Sequence, residues 1–343
     1  MKKTGKTSHH FSAAAAALFA FVFILSASAF AADSADKMKG PAFTDPARRF
    51  PMPAAWVNKP IQYEGWAEKA DIAVSLEQDV YQTILPLIQK YAKEHNLKIA
   101  VKEGTCGIAA GMLSRKTVDM GGFCCPPGKE DRLPGIKYHT LGIVSKAFLV
   151  HTLNPVDNVS SQQLIEMFRG KIYRWSELRD SSGKPGAGGT IRTVARLHCQ
   201  TRPGHWRLLL DDDKFFSPRL VEVGSIPDVL NAVATDRDAV GWEVLSMVEK
   251  YKKGDRMKPL RVNGYSPTDY EALASGKYPY YRTYTITTWE GPAVENEKAR
   301  KLVEYLVKEA DSLDPRRFGF ASASRLKKAG WKFSGDELVK EPR

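Results

Sequence analysis

From about residue 70, the sequence alternates short apolar segments, polar or glycine-containing turns, and segments with helical periodicity. Residues 71–74 form the first apolar segment, and residues 80–91 then place apolar side chains on one helical face. Residues 97–113 repeat this pattern. Strands that alternate with helices predict mostly parallel α/β sheets. Because ligands bind beyond the carboxyl ends of such strands, each strand-end turn is a candidate ligand loop.

Each of the strand-end turns precedes a predicted helix or follows a buried strand. Ser75, with Gln78 three residues later, has the spacing of a capping box and predicts where the first helix begins. The turn at residues 104–107 precedes the second helix, and the third strand, residues 118–123, ends at Cys124-Cys125. The first N–H groups of a helix are unpaired and attract anions. Several such turns converging would therefore form an oxyanion pocket.

The N-terminus has the features of a cleaved signal peptide. Three lysines precede an almost unbroken apolar run from Ala13 to Leu25, and residues 29–31 (Ala-Phe-Ala) suit a signal peptidase. The run is short for a membrane span, and no later stretch approaches ~20 apolar residues. No cysteine follows the run, so a lipid anchor is not indicated. We expect export to the periplasm with soluble release, with an uncleaved amphipathic anchor as the alternative.

The net charge of +12 does not indicate binding to nucleic acid. Lysine and arginine are spread along the whole chain, and no basic block is interleaved with aromatic residues. A mild positive potential would favour the approach of anionic solutes, although a merely solvated basic surface explains the charge as well. We therefore expect no nucleic-acid partner.

Two segments resemble motifs of the phosphate-type periplasmic solute-binding proteins of ABC importers. Residues 160–178 (SSQQLIEMFRGKIYRWSEL) resemble that family's helix-plus-turn signature, and residues 275–282 (SGKYPYYR) its G-x-Y-P-x-x-R segment. Residues 239–242 (AVGW) are similar to its A-I-G-Y strand. Residues 104–107 stand where the family has G-x-S-G, and residues 118–121 where it has V-D-I-x. The first two motifs together are specific.

This resemblance, over about residues 70–320, implies an α/β type II periplasmic-binding-protein fold. In that fold the chain crosses twice between two α/β lobes, which close by a hinge on a ligand in the cleft between them. Long extended segments near 142–153 and 258–288 agree with two crossings. The predicted boundaries are 1–31 for the signal peptide, 32–66 for an unpatterned N-terminal arm or tether, 67–147 plus 264–343 for lobe 1, and 148–263 for lobe 2.

The resemblance also implies four ligand loops, and all four cysteines of the chain fall on them. Phosphate receptors carry hydroxyls, an arginine and an acidic acceptor there, whereas here Cys106 replaces a serine and residues 198–202 depart from the family's S-D-G-S-G-T type run. Arg196 and Arg202 are candidates to neutralise an anion, since guanidinium donates to oxyanions through a fork of N–H groups. The predicted ligand-binding residues are Ser75, Leu76, Thr105, Cys106, Gly107, Cys124, Cys125, Arg196, Cys199, Gln200 and Thr201.

The cysteines allow two interpretations. An exported protein with an even number usually forms disulfides, and a bridge from Cys106 to Cys124 or Cys125 would stabilise the fold by about 3 kcal/mol. Cys199 would then pair across the cleft or stay free. Alternatively, Cys106, Cys124, Cys125 and Cys199 form a thiol site for copper(I), zinc or trivalent arsenic. His198 could add a nitrogen, as could a second histidine at position 205, but neither has a motif spacing with the cysteines.

An enzymatic role is not expected. Cys199 follows His198, but adjacent residues on a strand point to opposite faces, and a nucleophile and its base must lie within hydrogen-bond reach. Residues 211–213 (Asp-Asp-Asp) are typical of a solvated helix end, and the P-loop pattern is absent.

The sequence therefore predicts a periplasmic solute-binding protein that captures a small oxyanion, phosphate or a relative of it. We expect a monomer without a cofactor that serves the membrane subunits of an ABC importer or a sensor kinase. The alternative is binding or sensing of a thiophilic metal or metalloid, such as arsenite or copper. A third possibility is an interaction protein that keeps the fold and has lost its ligand.

Overall fold

The structure, a computed structural model, describes residues 38–179, 182–251, 254–315 and 319–342. The predicted signal peptide and the first residues of the predicted arm, 32–37, lie outside the described residues. Within the described ranges, every helix is too short or too polar to serve as a membrane span.

The described residues form nine helices and fourteen strands in a mixed order, which confirms the predicted α/β class. The helices are α1 (Ala54–Val57), α2 (Gln78–Glu94), α3 (Cys106–Arg115), α4 (Ser161–Arg169), α5 (Ile226–Thr235), α6 (Leu245–Lys250), α7 (Tyr270–Ala274), α8 (Glu297–Glu309) and α9 (Ala323–Lys328). The strands are β1 (Ile72–Glu77), β2 (Ile99–Gly104), β3 (Met120–Phe123), β4 (Ile136–His151), β5 (Asn158–Val159), β6 (Arg192–Ala195), β7 (Val221–Glu222), β8 (Ala239–Val244), β9 (Met257–Pro259), β10 (Arg261–Val262), β11 (Tyr281–Trp289), β12 (Phe320–Ser322), β13 (Lys332–Ser334) and β14 (Glu337–Lys340).

The main sheet joins two parallel parts through two long antiparallel strands. Its order is β2-β1-β3-β11-β4-β8-β6-β7, with β12 and β9 also paired to β4. Strands β1, β2 and β3 are parallel to one another, and so are β6, β7 and β8. Both groups are connected through helices, as parallel strands require. The sheet is therefore mixed, because β4 and β11 run antiparallel to their neighbours.

Strand β4 passes from one parallel part of the sheet to the other. Its first half pairs with β11 from Ile136 to Ser145, and its second half pairs with β8 from Lys146 to Val150. Strand β4 accounts for the first extended segment predicted from the sequence, and β11 for the end of the second. The middle of the second segment differs from the prediction, because Asp269 accepts a hydrogen bond from the Ala272 N–H and starts helix α7.

Alternate residues of β4 enter two different clusters of buried apolar side chains. Ala147 and Leu149 belong to one cluster, whereas Phe148 and Val150 belong to the other. Since successive strand residues point to opposite faces of a sheet, the two clusters cover both faces of β4. The lobe boundaries stay a prediction.

The described part of the N-terminal arm is packed against the body and does not extend away as a tether. The Phe50 N–H donates to the Arg132 carbonyl at 2.7 Å, and the Gly40 N–H donates to the Arg207 carbonyl at 2.7 Å. The Lys116 Nζ donates to two arm carbonyls and lies 4.3 Å from the ring centroid of Trp56. The arm therefore contacts segments that belong to both predicted lobes.

Gly142 lies where β12 pairs with β4, and this pairing leaves no room for a side chain. A Cβ atom on Gly142 would lie 2.5 Å from the Phe320 ring and closer still to the Ala321 carbonyl oxygen. We expect Gly142→Ala to lower the free energy of unfolding by about 1–3 kcal/mol, because the strands must separate. Gly188→Ala is the matched control, since a Cβ there meets no atom within 4 Å. Chemical denaturation would contradict the prediction if both variants unfolded like the wild type.

Candidate ligand site between the lobes

Four cysteine side chains come together at the carboxyl ends of β2, β3 and β6. Cys106 is the first residue of α3, Cys124 and Cys125 follow β3, and Cys199 lies in the loop after β6. The Sγ atoms of Cys106, Cys125 and Cys199 all lie within 4.8 Å of one another. The Sγ atom of Cys124 is 3.6 Å from that of Cys106 and 3.9 Å from that of Cys125. These four residues are called the cysteine cluster below.

Local backbone features position these thiols. The Thr105 Oγ1 accepts a hydrogen bond from the Ile108 N–H at 3.2 Å, which fixes Cys106 as the first residue of α3. Cys199 has a φ of 61°, in the left-handed region that side chains other than glycine rarely occupy. Such strained residues occur at functional sites, where the surrounding structure holds them in place.

All four cysteines are free thiols in the described structure. The predicted bridge from Cys106 is not formed, since 3.6 Å to Cys124 is well beyond the ~2.05 Å of an S–S bond. Hydrogen bonds from Cys106 and Cys125 lower the pKa of both Cys124 and Cys199 below the ordinary thiol value. Hydrogen bonds among the cysteines, with burial, raise the pKa of Cys106. A lowered pKa favours the thiolate, which is the nucleophilic and metal-binding form of cysteine.

Arg282 of β11 is buried beside the cysteine cluster and pairs with two carboxylates. Its guanidinium contacts Asp79 at the start of α2 and lies 2.8 Å from an oxygen of Glu243 in β8. The Arg196 Nη1 is 3.6 Å from the other Glu243 oxygen. Burial disfavours the charge on Arg282, but Glu243 and Asp79 outweigh burial and raise its pKa. One guanidinium thus connects the crossing strand to elements on both sides of it.

Helix α2 is capped by an acidic side chain, which the sequence interpretation missed. An oxygen of Glu77 accepts from the Asp79 N–H at 2.9 Å and from the Val80 N–H at 3.5 Å. The predicted cap at Ser75 is wrong, because β1 continues to Glu77 through its pairing with β2. The N-terminus of α2 is thereby occupied by a carboxylate of the protein itself.

Burial changes the acidity of the ionisable groups in this region. It raises the pKa of Glu77 well above its ordinary value, with Asp79 and Cys124 acting in the same direction. It also raises the pKa of Asp79 to about 7, against the attraction of Arg282. Three carboxyl groups, including Glu243, face three basic groups, which include Arg282 and Arg196. A raised pKa favours the neutral form of Glu77, so the charged pairs are those of Asp79 and Glu243 with the two arginines, which match in number.

Lys146 is the third basic group, and it is fully buried in β4. Its Nζ lies 3.3 Å from the His205 carbonyl oxygen and 4.6 Å from the ring centroid of Trp242. Burial and then the nearby Arg282 lower its pKa well below the ordinary lysine value.

Several buried polar atoms in and around this region have no hydrogen-bond partner among the residues that the structure describes. Buried polar groups are normally satisfied, so such a concentration indicates a place where a ligand or water binds. The imidazole rings of His198 and His205 lie 5.1 Å apart within this set, and burial lowers the pKa of both. The atoms are Ser75 Oγ, Asp79 Oδ1, Arg196 Nε, His198 Nδ1, His205 Nε2, Arg282 Nε and Tyr284 OH.

The predicted ligand residues divide into two groups, although their role in binding stays a prediction. The buried or half-buried group consists of Ser75, Leu76, Cys106, Cys124, Cys125, Arg196 and Cys199. Leu76 belongs to the apolar core. Thr105, Gly107, Gln200 and Thr201 are exposed. Gln200 donates to Asp213 at 3.1 Å, away from the cysteine cluster, and Arg202 is engaged by Asp131 at 2.6 Å.

The residues that sequence reasoning missed carry a recognisable signal. Lys146, Glu243 and Arg282 are charged residues within otherwise apolar strand segments. Charged side chains are almost never fully buried unless they are paired, so each of them indicates a buried charge network.

No family model matches the chain. The phosphate-binding protein PstS of Bacillus subtilis (strain 168) is 23% identical over 242 residues, which cover 66% of this chain and 75% of that protein. An ABC-type phosphate transport receptor from Vibrio cholerae aligns with a TM-score of 0.55 and 18% identity over 77% of this chain and 100% of its own. A candidate phosphate ABC transporter substrate-binding protein with bound phosphate, from Clostridium perfringens, aligns with a TM-score of 0.59 and 14% identity over 73% of this chain and 98% of its own.

These comparisons confirm the predicted resemblance to phosphate-type periplasmic binding proteins. They also confirm the predicted type II fold, with two α/β lobes joined by crossing strands.

The raised pKa of Glu77 predicts a pH dependence of stability. The folded protein keeps the proton of the Glu77 carboxyl group to a higher pH than the unfolded chain does. The contribution of this proton to the free energy of unfolding is therefore fully present below the ordinary carboxyl pKa of about 4.3, and it is lost as pH rises through the folded pKa. We expect Glu77→Gln to remove this pH dependence, and each tenfold difference in proton affinity between the two states contributes about 1.4 kcal/mol.

The measurement is the free energy of unfolding of reduced, ligand-free protein between pH 4.5 and pH 8, about the span over which a raised carboxyl titrates. Glu130→Gln is the control, because Glu130 is exposed. If Glu77→Gln kept the full pH dependence of the wild type, Glu77 would not be the buried proton-binding group.

Proposed function

We propose that this chain is an exported solute-binding protein that captures a small solute between its two lobes. The observation that carries the proposal is the set of buried, unpartnered polar atoms gathered beside the cysteine cluster. Asp79 lies in the helix that follows β1 of the first parallel part of the sheet, Arg196 and His198 lie in the loop after β6 of the second, and Arg282 lies in a crossing strand. A site assembled in this way is complete only when both parts are together, which supports ligand binding by hinge closure.

The partners follow from the relatives. Proteins with this fold that resemble the chain are described as phosphate transport receptors of ABC systems. We infer a periplasmic location and delivery of the solute to the membrane subunits of an importer, with a sensor kinase as the other predicted partner. The protein acts as a monomer, without a cofactor and without catalysis.

A phosphate-like oxyanion is the ligand that the relatives suggest. Its candidate cation is Arg196, whose Nε has no partner among the described residues. Because Glu77 fills the N-terminus of α2 and Thr105 caps α3, an anion would depend on basic side chains more than on helix N-termini.

The test is calorimetry and thermal unfolding of reduced protein with phosphate, sulfate, molybdate and arsenate. We expect at least one anion to bind, and a ligand present at 100 times its Kd stabilises the fold by about 2.7 kcal/mol. Arg196→Gln should weaken that binding at least about tenfold, the equivalent of losing ~1.4 kcal/mol. Arg192→Gln is the matched control, because Arg192 begins the strand that Arg196 follows but is exposed.

Failure of all four anions to bind would end the oxyanion assignment. The broader proposal of solute binding would be overturned only if thiophilic ions also failed to bind.

A further inference from the structure

We propose that Cys106, Cys125 and Cys199 form a three-sulfur site for a thiophilic trivalent metalloid, supplied as its small neutral oxyacid. Arsenous acid is the probe for this class. The inference rests on the proposed function, because it names the ligand class of the same interlobe site.

The first argument is the geometry of the three sulfurs. They come from the start of α3, the turn after β3 and the loop after β6, so the tertiary fold, and not a local motif, brings them within 4.8 Å of one another. Metal–sulfur bonds of about 2.3 Å place sulfurs bound to one centre about 3.5–4 Å apart. The three side chains therefore need only small movements to share one central atom.

The second argument is the position of the fourth cysteine. The Cys124 sulfur lies 3.6 Å from that of Cys106 and 3.9 Å from that of Cys125, but it is not in the group that contains Cys199. It also lies within 4.8 Å of carboxylate oxygens of Glu77 and Asp79. Glu77 caps α2, and one oxygen of Asp79 contacts Arg282. Cys124 therefore faces the charged groups around Arg282, whereas the other three sulfurs lie together.

The third argument is charge. Asp79 and Glu243 already pair with Arg282 and Arg196 in the buried region. A divalent cation with three thiolates would add a net negative charge, and burying an unpaired charge is unfavourable. A trivalent metalloid with three thiolates is neutral, so it leaves the existing balance unchanged.

The reaction is an exchange without oxidation or reduction. Three sulfur–arsenic bonds form and three arsenic–oxygen bonds break. Each thiol proton leaves with one hydroxyl group as water, so one arsenous acid and three thiols give one neutral trithiolate and three waters.

Native mass spectrometry of the folded protein, reduced with a phosphine, tests the assignment. We expect one arsenic atom bound with the loss of three protons. Cys106→Ser, Cys125→Ser and Cys199→Ser should each weaken binding by more than the ~100-fold typical for loss of an outer-shell partner. Cys124→Ser should weaken binding less than each of these three variants, since its sulfur is not grouped with that of Cys199. Circular dichroism checks that every variant is folded.

Several results would overturn the inference. These are arsenite binding that survives Cys199→Ser, binding lost equally in Cys124→Ser, or tighter binding of zinc or cuprous ion in direct competition. Exported protein with any of the three thiols held in a disulfide would also overturn it. If Cys106→Ser bound phosphate or another oxyanion as well as the wild type did, and neither protein bound arsenite, this inference would be rejected and the proposed function would stand.

Discussion

The ion pairs of Arg282 hold the two sides of the molecule together. The guanidinium lies in crossing strand β11 and contacts Asp79 at the start of α2 and Glu243 in β8. Removal of one partner from a buried pair costs about 3–5 kcal/mol, because the other charge remains buried without compensation. Arg282 thereby joins the start of α2 to β8 beside the cysteine cluster. The ligand region is therefore organised around a charge that the protein neutralises internally.

This internal neutralisation changes what the fold can bind. Helix N-termini at strand ends are ready-made anion sites. Here Glu77 places its own carboxylate oxygen at that position, and Thr105 caps the next helix. The groups left facing the region are sulfurs, imidazoles and arginine side chains whose Nε atoms have no hydrogen-bond partner among the described residues. A resemblance to phosphate receptors is compatible with a different ligand chemistry, because the fold fixes where the loops meet and the loop residues fix what they hold.

Much of the fold and part of the site could be predicted from the sequence. Alternating strands and helices predicted the α/β class. The parallel strands β2 and β3 bring their carboxyl ends to one edge, and β6, which runs in the opposite direction, brings its carboxyl end to face them, which is why Cys106, Cys125 and Cys199 meet. The cap at Ser75 was wrong because sheet pairing extends the predicted strand by three residues, to Glu77, and local spacing does not report pairing. Gln200 turns towards Asp213 after the left-handed Cys199, a conformation that no residue type in this loop predicts. Pairing among Arg282, Asp79 and Glu243 joins residues far apart in the chain, so it could be found only from tertiary structure.

The N-terminal arm has a consequence for the lifetime of a bound solute. Its backbone is hydrogen-bonded to Arg132 on one side and to Arg207 on the other. A rotation that separates these two residues must extend the arm between its two bonded positions or break one of the bonds. Under the proposed hinge closure, such an arm would favour the arrangement in which both bonds form and would slow release of a solute held there. The residence time would then depend on a segment that lies outside both predicted lobes.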